Sequence, residues 1–137
     1  MGSGELNGGR GVYQVYEAAV GDGRHRVFLH AVCTGDGAVV TLVGGEHAHV
    51  GAVALGLPRP SLRDARTPSA DVAVVPVPGH KDDRVARPVA EAIARVLGQP
   101  VVVSVGLHVD QATDEDLARL VENARTAAYQ FLASIPR

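Results

Sequence analysis

Apolar and polar residues alternate through VYQVYEAAV (12–20) and RHRVFLHAV (24–32), a period of two that predicts strands. GDG at 21–23 separates these two runs, and a second GDG at 35–37 separates the latter strand from AVVTLV (38–43). Strand-like runs joined by short glycine turns predict an antiparallel meander. GGEHAH (44–49) interrupts the pattern, and VGAVALGL (50–57) predicts a fourth strand. PRPSLRDARTPSA (58–70) is proline-rich and polar, so it reads as a loop, of a length that is usually functional or mobile. DVAVVPV (71–77) predicts a fifth strand, and Pro76 favours an edge position because proline cannot donate to the ladder.

The period then lengthens. Val85, Val89, Ile93 and Val96/Leu97 recur at helical spacing before Gly98, which predicts a helix over 83–97. PVVVSVGL (100–107) is continuously apolar, as suits a strand covered on both faces. A second helix opens at Thr113, a good N-cap, with Asp114, Glu115 and Asp116 in the first turn where the helix dipole favours them. Leu117, Leu120, Val121, Ala124, Ala128, Phe131 and Leu132 form its apolar face. The expected fold class is α+β: a mostly antiparallel sheet of about six strands with two C-terminal helices packed on it. Residues 1–10 read as a flexible lead-in and 11–137 as a single domain.

Composition narrows the function. A chain of 137 residues is long enough to bury a core without a staple or a metal. With no Trp, three Tyr and two Phe, that core is aliphatic. A net charge of -2 and a pI near 6.3 argue against nucleic acid, which selects a basic stripe. Cys33 is the single cysteine, so no internal disulfide forms, and its place in a strand-like run suits an inert thiol. The opening MGSGELNGGRG lacks a secretory pattern and no run of ~18 apolar residues exists, so the expectation is a soluble, cytoplasmic protein.

Four polar clusters fall at the ends of the predicted elements. GGEHAHVG holds Glu46, His47 and His49; two histidines two apart on an extended segment point the same way, which suits a metal pair as well as a polar turn. PRPSLRD holds Arg59, Ser61, Arg63 and Asp64, and prolines on both sides of Arg59 stiffen it for bidentate capture of an anion. PGHKDD holds Gly79, His80, Lys81, Asp82 and Asp83, with the chain's only lysine entering a helix where backbone donors meet an anion. One of the two aspartates is expected to cap that helix, and the other to meet a cation or pair with Lys81 or Arg87. If the helix starts near 83, Pro88 removes one hydrogen bond from it. GLHVDQAT places His108 and Asp110 at the end of a buried strand, where ligands gather in α/β layouts. Asn123, close to the apolar face of the second helix, suits a buried backbone group. HExxH, CxxC and GxSxG are all missing, and Ser61 and Ser104 carry no local sign of activation, so no catalytic residue is assigned.

The order GGExxHVGAVAL, PRPSL, PGHKDD, ARP, LGQPVVVSVGLHVDQAT and LVENA, spanning about residues 11–132, resembles the LpdD-like prenylated-flavin chaperones. That superfamily is similar to prokaryotic relatives of proteasome assembly chaperones. Gln111 stands where the pattern has Asn, a change that keeps the amide. The resemblance implies a non-catalytic, homodimeric protein that binds prenylated FMN (or FMN) and hands it to an apo UbiD-type decarboxylase, with a flavin prenyltransferase as a further partner. It implies a cofactor site among His49, Arg59, Ser61, Gly79, His80, Lys81, Asp82, Asp83, Arg87, His108 and Asp110. Two other readings stand beside it: an assembly chaperone working through protein contacts alone, and a metal-dependent hydrolase built on His49, His80, His108 and Asp110.

Overall fold

The computed structural model describes residues 2–6, 13–78 and 82–135. Seven strands form one sheet: β1 (Gly2–Leu6), β2 (Tyr13–Val20), β3 (Val27–Cys33), β4 (Ala38–Gly45), β5 (Ala52–Pro60), β6 (Pro68–Pro76) and β7 (Val101–His108). Helix α1 (Asp83–Leu97) lies between β6 and β7, and α2 (Asp114–Ser134) follows β7. The strand order is β1-β2-β3-β4-β7-β5-β6. All neighbours are antiparallel except β4 and β7, which run parallel from Ala38↔Val101 to Gly45↔His108. The fold is therefore α+β, mostly antiparallel, with one parallel pair at its centre. Within the expected lead-in, Gly2–Leu6 pair with β2 as its outer neighbour.

The strand period decides where the core sits. Val27, Leu29 and Ala31 of β3, Val40 and Leu42 of β4, and Val101, Val103 and Val105 of β7 point to one face and are buried. α1 covers the β5–β6–β7 half of that face and α2 the β2–β3–β4 half. α1 contributes Val85, Val89 and Ile93; α2 contributes Leu120, Ala124 and Phe131. Each such aliphatic side chain contributes roughly 1.5–3 kcal/mol on burial. Among the described residues no helix is long and apolar enough to cross a membrane.

Three expectations are corrected. β7 is not covered on both faces: Val102 and Ser104 on its second face are only half-buried, shielded by neighbouring strands and by no helix. Residues 58–70 are not one long loop. β5 and β6 stay paired out to Pro60↔Pro68, which leaves a short hairpin turn closed by the Ser61 N–H donating to the Thr67 carbonyl. Antiparallel partners alternate between bonded and non-bonded positions, so this closure makes Pro58, Pro60 and Pro68 non-bonded ones whose missing N–H points outward. There it has no neighbour to serve, because β7 reaches only as far as Gly56. Pro76 lies on β6, which is an edge strand as its proline predicts. Asp82 does not cap α1 either. Its backbone is already helical and its side chain makes no capping bond, whereas Pro88 sits within the helix and removes a donor.

α2 starts as its sequence predicts. The Thr113 hydroxyl accepts from the Asp116 N–H, and the Asp116 carboxylate accepts from the Thr113 N–H, a reciprocal capping box. Asp116 also meets His25 Nε2 at 2.7 Å, which ties α2 to the 3-10 turn at Gly23–His25. Asn123 reinforces that tie by donating to the His25 carbonyl at 2.7 Å, the backbone role its sequence position suggests. The Thr113 backbone N–H, and then His25, hold the Asp116 carboxyl far below the usual carboxylate range. Burial pushes the Cys33 thiol up, away from thiolate reactivity.

Thr113→Ala is expected to lower stability to urea by about 1 kcal/mol, as loss of an N-cap does. Asp116→Asn tests the pH dependence. A carboxyl depressed in the folded state stabilises fully above its unfolded value of ~3.9, and that stability drains away as pH falls below it. The gap in urea midpoint between wild type and Asp116→Asn should therefore be widest near pH 6 and narrow by pH 2.5; a constant gap would refute the assignment.

Candidate functional site

The parallel pair ends at Gly45 and His108, and three turns meet there: 46–51 leaving β4, 109–113 leaving β7, and the start of α1. Asp82 is the anchor. It is the one buried charged side chain among the described residues, 7% exposed. Its Oδ1 accepts the Leu107 N–H at 3.1 Å and its Oδ2 lies 3.1 Å from His49 Nε2. His49 Nδ1 in turn lies 3.3 Å from the His47 carbonyl oxygen. One carboxylate thus joins the entry of α1, the end of β7 and the loop after β4.

Glycine makes this approach possible. A Cβ on Gly51 would collide with the Asp82 carboxylate, and one on Gly106 would collide with the His49 carbonyl. The 46–51 loop therefore crosses directly over the end of β7, at Gly106.

Outside this anchor lies an exposed polar rim. His108 Nε2 sits 2.8 Å from Asp110 Oδ1, and His47 Nε2 sits 3.5 Å from Asp110 Oδ2. The His108 imidazole, and behind it His47, hold the Asp110 carboxyl below the usual range. The His47 and His108 ring centroids are 5.5 Å apart, and those of His49 and His108 6.2 Å. Glu46 accepts the Asp110 N–H at 2.8 Å and lies 3.8 Å from Arg24, which also reaches Asp116 at 3.7 Å and the Asp110 carbonyl at 3.2 Å. Next along, Arg26 stacks on Phe28, its guanidinium carbon 5.1 Å from the ring centroid. Among the described residues Arg26 makes no ion pair, which leaves its charge available to an anion.

Of the sequence-predicted residues, His49, Asp82, Asp83, His108 and Asp110 come together at this end. Arg59 does not. It bonds Asp71 Oδ1 at 2.8 Å and the Pro60 carbonyl, and it lies seven steps along the strand from Ala52, about 23 Å at ~3.3 Å each. Ser61 serves the hairpin tip by accepting the Arg63 N–H. Arg87 reaches across to β6, donating to the Val72 carbonyl at 3.5 Å. Gly79, His80 and Lys81 lie outside the described residues. Of the two readings of the histidines, a metal pair or a polar turn, the geometry follows the turn: His47 and His49 direct their Nε2 atoms to different carboxylates, Asp110 and Asp82. No group of three or more ligating side chains among the described residues is arranged to hold a metal.

The sequence reading overlooked Arg24, His25, Arg26 and Phe28. Alternation through RHRVFLH does place Arg26, Phe28 and His30 on one face, a signal that was available. A groove of about 430 Å³ beside the Gly21–His25 turn suits an anion poorly, because Asp22, Glu115 and Glu122 line it and Arg119 is already bound to Glu115 at 2.9 Å.

Asp82→Ala should destabilise the protein by about 1–3 kcal/mol, since it leaves the part-buried Leu107 N–H without its partner. Gly51→Ala should displace the same carboxylate without removing it. In both variants the NMR signals of His49 and of the Leu107 amide are expected to shift, while those of His25 stay put; unmoved His49 signals would disprove the anchor.

The comparisons with known proteins agree with this architecture. The description "prenylated flavin chaperone LpdD-like domain" matches residues 21–136. Among solved structures, a chain from the crystal structure of a novel chaperone complex for yeast 20S proteasome assembly is similar at a TM-score of 0.55. It shares 16% identity over 89% of this chain and 94% of that one, a likeness of fold. No curated protein matches the chain. Because the matched region covers most of its length, the chain belongs to the family of prenylated flavin chaperone LpdD-like domains.

Proposed function

We propose that the protein is a non-catalytic cytoplasmic carrier that holds prenylated FMN (or FMN) and delivers it to an apo UbiD-type decarboxylase. The observation that carries this reading is the rim itself: His47, His49 and His108 converge beside Arg26, which makes no ion pair among the described residues, and an exposed phenylalanine, in a chain of this family. A flavin mononucleotide needs a cation for its phosphate and flat or apolar surface for its rings. Arg26 supplies the first, with Lys81 and His80 as further donors carried by the segment between Pro78 and Asp82. Phe28 and the His47 and His108 rings supply the second. The prenylated flavin, when bound, brings the electrophilic chemistry that a decarboxylase uses. The residues here serve only to bind and orient it.

Carboxylates temper the grip. Glu46, Asp110 and Asp116 stand on the same rim and oppose a phosphate, so the positive groups are only partly available. A hold that is firm enough to shield the cofactor and weak enough to surrender it suits a carrier. Arg59, Ser61 and Arg87, far from this rim, are better placed to meet a partner protein than the flavin. The same reading expects a homodimer.

The test is uptake. Protein co-expressed with a flavin prenyltransferase, or mixed anaerobically with reduced prenylated FMN, should purify with flavin absorbance and the matching mass in native mass spectrometry. Arg26→Ala, which loses a charge-assisted hydrogen bond, and His108→Ala, which loses a ring for the flavin to stack on, should each weaken uptake about tenfold. A colourless protein in both preparations overturns the carrier. Recovery of a large-complex subunit in a pull-down, unaffected by changing His80 or Lys81, would favour a chaperone acting through protein contacts alone.

A further inference from the structure

The β5–β6 hairpin outreaches the sheet that carries it. β7 pairs with β5 only as far as Gly56, but β5 and β6 stay together for four further registers, Leu57↔Asp71 to Pro60↔Pro68, and end in the 61–67 turn. At ~3.3 Å per residue the ladder alone projects about 13 Å beyond its neighbour. Residues 62–68 are all exposed, and at 92% Leu62 is the most exposed large apolar side chain among the described residues. A lone exposed leucine is ordinary on a mobile loop, but this turn is built to hold its shape. The Ser61 N–H donates to the Thr67 carbonyl at 2.8 Å and the Thr67 N–H to the Asp64 carbonyl at 2.9 Å. Ser61 Oγ accepts the Arg63 N–H, and Asp64 Oδ1 accepts both the Arg66 N–H and its Nε. Pro58, Pro60 and Pro68 stiffen the arm below.

We propose that this arm docks the protein on its client, seating Leu62 in an apolar socket whose border of carboxylates is gripped by Arg63 and Arg66. The inference rests on the carrier reading, which makes that client the apo-decarboxylase. Charge selects the acidic border. The arm holds Arg59, Arg63 and Arg66 against Asp64 and Asp71, a positive excess in a chain of net charge -2. Arg59 and Arg66 have Asp71 and Asp64 as partners, whereas Arg63 makes no ion pair among the described residues, so its planar fork is open to a carboxylate. The prolines decide that side chains, not strands, make the contact. Pro58 and Pro60 fill both outward positions of β5 on the arm, so that edge has no N–H to offer an added strand. Because the turn is already bonded, docking orders little chain. Lipid is a poorer occupant: one apolar side chain and one surplus charge fall well short of the broad apolar face and basic cluster that hold a protein on an anionic membrane. The arm also ends at the far side of the sheet from the histidine rim, so a docked client leaves the rim open to be loaded.

Titration of immobilised, flavin-free UbiD-type decarboxylase with the full-length protein tests this. Leu62→Asp and Arg63→Glu should each weaken binding about tenfold or more, as loss of an anchor at the centre of an interface does. Leu117→Asp, at an exposed position on α2, should bind like wild type. Flavin uptake by Leu62→Asp and Arg63→Glu should be unchanged. Arm variants that bind the decarboxylase as tightly as wild type overturn the inference. So does binding that Leu117→Asp weakens equally, or an arm whose variants lose only attachment to phosphatidylserine vesicles. Should an arm variant fail to fold, the wild-type complex decides: amide hydrogen exchange over 62–67 should slow on docking, and unchanged exchange there overturns the inference by itself. The two readings fail separately. Protein that takes up flavin but does not bind the decarboxylase refutes the arm, and protein that binds through the arm yet takes up no flavin refutes the carrier alone.

Discussion

Strands β4 and β7 run parallel, and parallel neighbours cannot be joined by a hairpin. The chain must leave β4, build β5, β6 and α1, and return to the side of the strand it left. That excursion sets the architecture. It inserts β7 between β4 and β5, gives α1 the β5–β6 half of the sheet to cover, and leaves α2 the other half. It also makes three connections start or finish at one end of the central pair.

The crossing is held by a buried carboxylate. Asp82 takes a backbone donor from β7 and an imidazole from the loop after β4, so the return path is locked to the departure path. A buried charge is tolerated because both of its oxygens are engaged. The glycines at 51 and 106 are the geometric condition for that lock, since any side chain there would occupy the space of the carboxylate or of the His49 backbone. The rim of His47, His108 and Asp110 is then a consequence: residues tied to the ends of β4 and β7 have nowhere else to go. Family membership places the chain among the prenylated flavin chaperone LpdD-like domains.

A second consequence is the asymmetry of the sheet. Both helices fall on one face, and the valines that alternate along β4, β5 and β7 leave an apolar layer on the other. The sheet is thus buried by helices from one side only.

Much of this was readable in one dimension. The period-two runs, the helical spacing of Val85, Val89 and Ile93, the edge position implied by Pro76 and the Thr113 cap all rest on local rules, and local rules survive folding. The ordered motifs also carried the family. The sequence could not say that 58–70 stays paired, because the test is whether a proline's absent N–H faces a neighbour, and the neighbour lies far away in the chain. Nor could it tell that the apolar run at 100–107 is covered on one side only, since the composition of a strand is blind to what lies above it. Arg59 and His108 look alike as polar residues ending strands, yet β5 and β7 run in opposite directions, so the two finish at opposite ends of the sheet. Strand composition belongs to the sequence. Strand direction and layer coverage belong to the tertiary structure, because they depend on pairings between segments that no local pattern encodes.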